Sequence, residues 1–122
     1  MTDSLQATED YSAARATAPR VSLDDIKDNI ETVHYFTAGQ ALAALGQPVS
    51  ETGSLDLLTI CIVTVHNGFT VVGKSAPASA DNFDAEKGRT FAYEDAVRQL
   101  WPLMGYELRE ALYRGEVMRE AV

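Results

Sequence analysis

An Asn-Gly pair at residues 67–68 interrupts two apolar runs, LLTICIVTVH before it and FTVVGKSA after it. This pair most limits what the chain can fold into. Asn-Gly is the preferred centre of a two-residue type I′ turn, because both central positions need positive φ. Leu57 to His66 and Phe69 to Ala76 are therefore expected as the two strands of an antiparallel hairpin. A two-residue turn sets His66 opposite Phe69, Thr64 opposite Val71 and Ile62 opposite Gly73. On the other face Val65 meets Thr70, Val63 meets Val72 and Cys61 meets Lys74. Both faces are then largely apolar, whereas a sheet wet on one side alternates apolar with polar. A lone hairpin is marginal in water, and Tyr35-Phe36 and Pro48-Val49 are weak strand candidates. Cover is expected from helices on one face and a second copy of the chain on the other, which predicts a homodimer or higher homo-oligomer.

The flanking residues read as helices. Ser22 can cap a helix whose first turn carries Asp24 and Asp25. Leu23, Ile26, Ile30 and Val33 recur at helical spacing and form one face. Thr37 and Gln40 have the spacing of a capping box, and Gly46 sits where a short helix would end. Residues 47–56 read as a loop. After a polar stretch, Asn82 or Asp84 can cap a long helix. There Ala85, Gly88, Ala92 and Ala96 make a line of small residues, suited to close packing on a sheet or another helix. Pro102 is expected to bend or restart that helix.

Strand followed by helix, without βαβ alternation, gives an α+β class. A central antiparallel hairpin or sheet is expected, packed by an N-terminal helix and a long, proline-interrupted C-terminal helix. Residues 1–20 lack an apolar period and read as a disordered tail. Residues 21–114 read as a single α+β domain and 115–122 as a frayed terminus.

The formal net charge of −8 argues against nucleic-acid and anionic-membrane partners. No run approaches the roughly 20 apolar residues needed to span a bilayer. The one cysteine, Cys61, allows no internal disulfide and fits a reducing cytoplasm. It reads as a small buried hydrophobe. His34 and His66 lack metal-ligand spacing, no serine stands in a nucleophile elbow, and no phosphate loop is present. No catalytic residue, metal or cofactor is expected.

What remains is the stretch from Ser75 through Asn82 and Phe83 to Arg89. A polar loop entering a helix exposes backbone N–H groups that suit an anion. An amide (Asn82), a ring (Phe83 or Phe69) and a guanidinium (Arg89) together can hold a base and a phosphate. Arg98 and Arg109 lie further along the same helical region. A purely structural account is equally coherent: Asn82 or Asp84 caps, Phe83 staples helix to sheet, and Arg89 pairs with a nearby acid.

An ordered series of short motifs adds to this. It runs Val21-Ser-Leu-Asp-Asp-Ile26, His34-Tyr-Phe-Thr37, Asn67-Gly-Phe-Thr-Val71, Ser75-Ala76, Asn82-Phe-Asp84, Gly88-Arg89, Trp101-Pro-Leu-x-Gly-Tyr106 and Leu108-Arg109. Over about residues 20 to 113 it resembles a family of small tailed-phage and prophage proteins, the phage gp forty-nine/sixty-six family. It is also similar to the Thoeris anti-defence one sponges, phage proteins that bind nucleotide immune signals and hold them uncleaved. The resemblance implies a cytoplasmic protein of the infected host that sequesters a cyclic ADP-ribose isomer, a cyclic oligonucleotide or both, of the kind used in Thoeris and CBASS signalling. It implies Phe69, Asn82 and Arg89 as ligand contacts and Arg98 and Arg109 as phosphate contacts at a subunit interface. With Ser75 and Phe83 from the loop, these are the candidate site residues. The alternative is an acidic interaction protein that inhibits a host protein directly.

Overall fold

The computed structural model describes residues 4–49 and 52–116. In chain order they form α1 (Ser4–Arg15), α2 (Leu23–Asn29), β1 (Ile30–Thr37), α3 (Ala38–Ala44), a 3-10 turn at Ser54–Leu57, β2 (Thr59–Val65), β3 (Thr70–Ser75), a second 3-10 turn at Ala80–Asn82, and α4 (Ala85–Arg114). The class is α+β, with one antiparallel sheet in the order β1-β2-β3. The chain divides into two compact units. One spans Ile30–Ala96; the other combines Met1–Asn29 with Val97–Val122.

The hairpin forms, with a register one residue away from the expected one. Cys61 pairs with Gly73, Ile62 with Val72, Val63 with Val71 and Thr64 with Thr70. The turn explains the slip. Gly68 alone in the loop has positive φ, at 90°, and no non-glycine residue does among those described, so a type I′ turn is excluded. The Gly68 N–H donates to the Val65 carbonyl at 2.9 Å and the Val65 N–H donates to the Phe69 carbonyl at 3.0 Å. That is the three-residue loop with a glycine bulge. The Asn67 carboxamide oxygen accepts the Phe69 N–H at 2.9 Å and holds this alternative.

The slip separates the two faces, because side chains alternate with a period of two. Cys61, Val63, Val65 and Val71 share one face with Thr59 and Gly73, and all are buried. Ile60 and Ile62 on the other face are half-buried and Val72 is 51% exposed. Within this chain the sheet is therefore covered by a helix on one face, as expected, and its other face is half-open.

β1 supplies the third strand, so the hairpin is not alone. It starts at Ile30, where the helical period had been expected to run on to Val33. Ile30, Thr32, Val33, Tyr35, Phe36 and Thr37 are β-branched or aromatic, and pairing with β2 favours them in a strand over a frayed helix end. Before it, α2 is capped as expected: the Asp25 N–H donates to the Ser22 hydroxyl at 3.0 Å and the Ser22 N–H to the Asp25 carboxylate at 2.9 Å. After it, Thr37 and Gln40 form the expected capping box of α3.

The line of small residues on α4 does what its spacing suggests. A Cβ on Gly73 would lie 2.0 Å from the Ala92 carbonyl oxygen and 2.5 Å from the Ala96 nitrogen. A Cβ on Gly88 would lie 2.8 Å from the Thr59 hydroxyl. Helix and sheet thus meet backbone to backbone over the inner face. Asp95, on the same helix, accepts the Lys74 N–H of edge strand β3 at 2.9 Å. Farther along, α4 passes through Pro102 without restarting, although the proline removes one rung of the ladder.

In the other unit, residues expected as a disordered tail form α1. Twelve residues of weak periodicity do not hold a helix alone; tertiary contacts do. Leu5 is 1% exposed. Arg20 makes a two-pronged ion pair with Glu9, both contacts 2.8 Å, and the Leu23 N–H adds a third bond to Glu9 at 3.0 Å. The Arg98 guanidinium bonds the Ser4 hydroxyl. The Trp101 indole N–H donates to the Val21 carbonyl at 3.0 Å. Most of the fraying expected over 115–122 lies outside the described residues. At its start, α4 closes with Gly115 at φ 72° and the Glu116 N–H on the Ala111 carbonyl.

Two outcomes follow. Gly73→Ala should destabilise the protein by about 1–3 kcal/mol or more in urea unfolding, because the obstructing atoms are backbone; an unchanged midpoint would contradict the close approach. The Arg20 hydrogen bond holds the Glu9 carboxyl below its ordinary 4.5. A carboxyl lowered on folding contributes stability above its unfolded value, and that contribution is lost as pH falls through the folded value. Hydrogen-exchange protection of α1 should therefore be pH-independent near neutrality and fall in acid below the ordinary carboxylate range. In Glu9→Gln it should be weak throughout.

Candidate functional site

The sheet unit holds a cleft of about 430 Å³ where the ends of β1 and β2, α3 and the start of α4 converge. Each wall has a local cause. Tyr35 is paired with Cys61 across the β1–β2 ladder. Thr37 caps α3 and Gln40 completes its box, so both are fixed at the rim. Asp56 arrives on the first 3-10 turn, and a Cβ on Gly39 would strike its carboxylate at 1.8 Å. Thr59 is buried under Gly88. Phe83 closes the second 3-10 turn and leads into α4, six residues before Arg89.

The electrostatics are mixed. Arg89 is exposed and has no ion-pair partner among the described residues. Burial raises the Tyr35 phenol above its ordinary value; neighbouring Cys61 and Tyr93 add to this, and Arg89 opposes it. The phenol keeps its proton near neutrality and can donate. Burial pushes the Cys61 thiol up to about 11, against the opposing effect of its hydrogen bond with Tyr35. A thiol so raised is a poor nucleophile at neutral pH. Among the described residues no cluster of His, Cys, Asp and Glu is suited to a metal.

A second, smaller cavity of about 200 Å³ lies between the end of β3 and the start of α4, and Phe83 lines both. The sequence-predicted residues are thus divided. Phe83 and Arg89 line the larger cleft, whereas Ser75, Asn82 and Phe83 line the smaller. Asp84, not Asn82, caps α4: its carboxylate accepts the Lys87 N–H at 3.1 Å. The helix start is therefore already supplied with an anionic group of its own. Phe69 is 56% exposed at the hairpin and lines neither cavity. Arg98 and Arg109 belong to the other unit. There Arg109 borders a pocket of about 280 Å³ with Pro19 and Tyr113.

Tyr35, Gln40, Asp56 and Thr59 were not among the site residues read from the sequence. Tyr35 stood with Phe36 as a weak strand candidate, which β1 bears out, and Asp56 stood in a stretch read as loop. The Thr37–Gln40 signal was present but read as a helix cap alone.

The sequence model of the Phage protein (N4 Gp49/phage Sf6 gene 66) family matches residues 21–112. The chain belongs to this phage protein family. No curated protein and no solved structure matches it. The matched span of the phage protein takes in α2, the whole sheet unit with both cavities, and α4 to within two residues of its end. It leaves α1 outside. Among the described residues no helix is long and apolar enough to cross a membrane.

The state of Cys61 can be measured. Thiol titration with a disulfide reagent at neutral pH should show no fast-reacting group in the folded protein and one after denaturation. Fast labelling of the native protein would contradict the buried, protonated thiol.

Proposed function

We propose that this phage protein is an anti-defence protein that binds a cyclic nucleotide immune signal, a cyclic ADP-ribose isomer or a cyclic oligonucleotide, and holds it uncleaved. The observation that carries this reading is Arg89, an exposed guanidinium without an ion-pair partner among the described residues, in a cleft that also presents the Tyr35 and Phe83 rings. A guanidinium suits phosphate oxygens and an aromatic ring suits a base. Thr37, Gln40 and Thr59 add neutral polar groups around them. The similarity of the motif series to nucleotide sponges supplies the ligand class.

Sequestration is a stoichiometric act. It works by lowering the free messenger below the threshold of a host effector in the host cytoplasm, and it requires affinity and abundance rather than reacting groups. The protein is not an enzyme on this reading, and it uses no cofactor. The half-open apolar face of the sheet, with Ile60, Ile62 and Val72, favours a homodimer or higher oligomer. Its other proposed contacts, at Ser75 and Asn82, lie in the adjoining cavity behind Phe83.

A thermal-shift panel of cyclic ADP-ribose isomers and cyclic oligonucleotides tests the proposal. A ligand at 100 times its dissociation constant should stabilise the fold by about 2.7 kcal/mol. The ligand should be recovered chemically intact after denaturation. Arg89→Ala should weaken binding by about tenfold or more, since one charge-assisted contact is worth at least that, while its ligand-free melting temperature stays near that of the parent protein. A panel without any shift would overturn the proposal in favour of an acidic protein that inhibits a host protein directly.

A further inference from the structure

Asp56 is an unusual wall for a cleft meant only to hold an anion. Its carboxylate lies against Gly39, where a Cβ would come within 1.8 Å of one carboxylate oxygen and 2.9 Å of the carboxyl carbon. Gly39 is buried and has ordinary negative φ, so its backbone does not require glycine. What the missing side chain provides is room for the Asp56 carboxylate. That carboxylate forms no ion pair and no side-chain hydrogen bond among the described residues. It shares the cleft with Arg89 without neutralising it.

An acceptor-only group and a donor-only group, each without a partner of its own, select a ligand with both kinds of chemistry. The Asp56 carboxylate accepts and cannot donate; the Arg89 guanidinium donates and cannot accept. A phosphate alone satisfies the guanidinium and is repelled by the carboxylate. A ribose phosphate satisfies both, because its hydroxyls donate and its phosphate accepts. Carboxylates take ribose hydroxyls in this way in dinucleotide-binding folds of quite different architecture.

We propose that Asp56 binds the hydroxyls of a ribose and makes the cleft selective for ribonucleotides over their 2′-deoxy counterparts, with Gly39 as the residue that makes room for the carboxylate. This rests on the reading of the cleft as a nucleotide site. It adds a contact and a selectivity that the phosphate and base contacts do not supply.

The test is titration calorimetry with two ribonucleotide probes, cyclic ADP-ribose and cyclic di-adenosine monophosphate, each beside its 2′-deoxy analogue. The parent protein should bind at least one ribo form about tenfold or more tightly than its 2′-deoxy form, as expected when a site's polar group is left without its partner. In Asp56→Ala the two forms should bind alike. Gly39→Ala keeps the carboxylate but displaces it, and should reduce the preference in the same direction. Melting of each ligand-free variant separates a lost contact from a lost fold, and Asp56→Asn, closest in shape, provides a second variant should Ala unfold. Equal binding of ribo and 2′-deoxy forms by the parent protein would overturn the role of Asp56 and leave the nucleotide site standing. A preference that survives in both Asp56 variants would also overturn it. Absence of binding by all four probes would overturn the inference together with the site on which it rests.

Discussion

The sheet unit depends on one close approach, that of α4 to the inner face of the sheet. Gly73 lies against the Ala92 carbonyl and the Ala96 amide so tightly that a single methyl group would overlap both. Such contact is available only where both surfaces lack side-chain bulk. The helix offers alanines, and the strand offers the one residue type without a Cβ. The gain is the burial of Cys61, Val63, Val65 and Val71 beneath the helix. The cost is intolerance: larger residues must separate the two layers, because backbone cannot be moved aside as a flexible side chain can. Asp95 reinforces the contact from its margin, where its carboxylate engages the Lys74 N–H of the edge strand. That bond also uses an edge donor that would otherwise be open to another strand.

Register is the second constraint, and it shows where local sequence signals stop. Asn-Gly announced a hairpin correctly, but the two-residue turn read from it is not the one that forms, which is a three-residue loop with a glycine bulge. They differ by one residue in pairing and thus in which side chains share a face. The choice falls to the longer-range demand that Gly73 face α4 with Val63 and Val71 beside it. In the expected register Gly73 would have paired with Ile62 and sat on the same face as a bulky residue that the structure places on the outer side. The alternation within β2 is the same in either register, so the outer face keeps Ile60 and Ile62, now with Val72 beside them, and stays half-open.

The helices and their caps were legible because their signals are local. Ser22 with Asp25, Thr37 with Gln40, and the glycine after α3 act within one turn of chain. The small-residue line at Ala85, Gly88, Ala92 and Ala96 was legible for a similar reason, since periodicity records a buried face directly. β1 and α1 were not. β1 follows a helix without a break, and its residues satisfy a helical period as far as Val33; only pairing with β2 decides. α1 has little apolar period, and its order comes from Leu5, Glu9 and Arg20 across a gap in sequence. Phe83 and Arg89 were found because they stand near a helix start, where polar loops and charges draw notice. Asp56 and Tyr35 reach the same cleft from segments whose placement is set by the sheet, and no spacing in the sequence records that.

The packing and the cleft are not separate achievements of the chain. Gly88 is the residue at which they meet. Without a Cβ it lets α4 settle onto Thr59, and the next residue along the helix is Arg89. The depth to which the helix sits therefore sets how far the guanidinium stands from the sheet end that carries Tyr35 and Thr59. Gly39 does the same on a smaller scale for Asp56. Each charged residue of the cleft thus stands on, or against, backbone whose close packing a glycine permits, and no salt bridge joins Arg89 to Asp56 among the described residues.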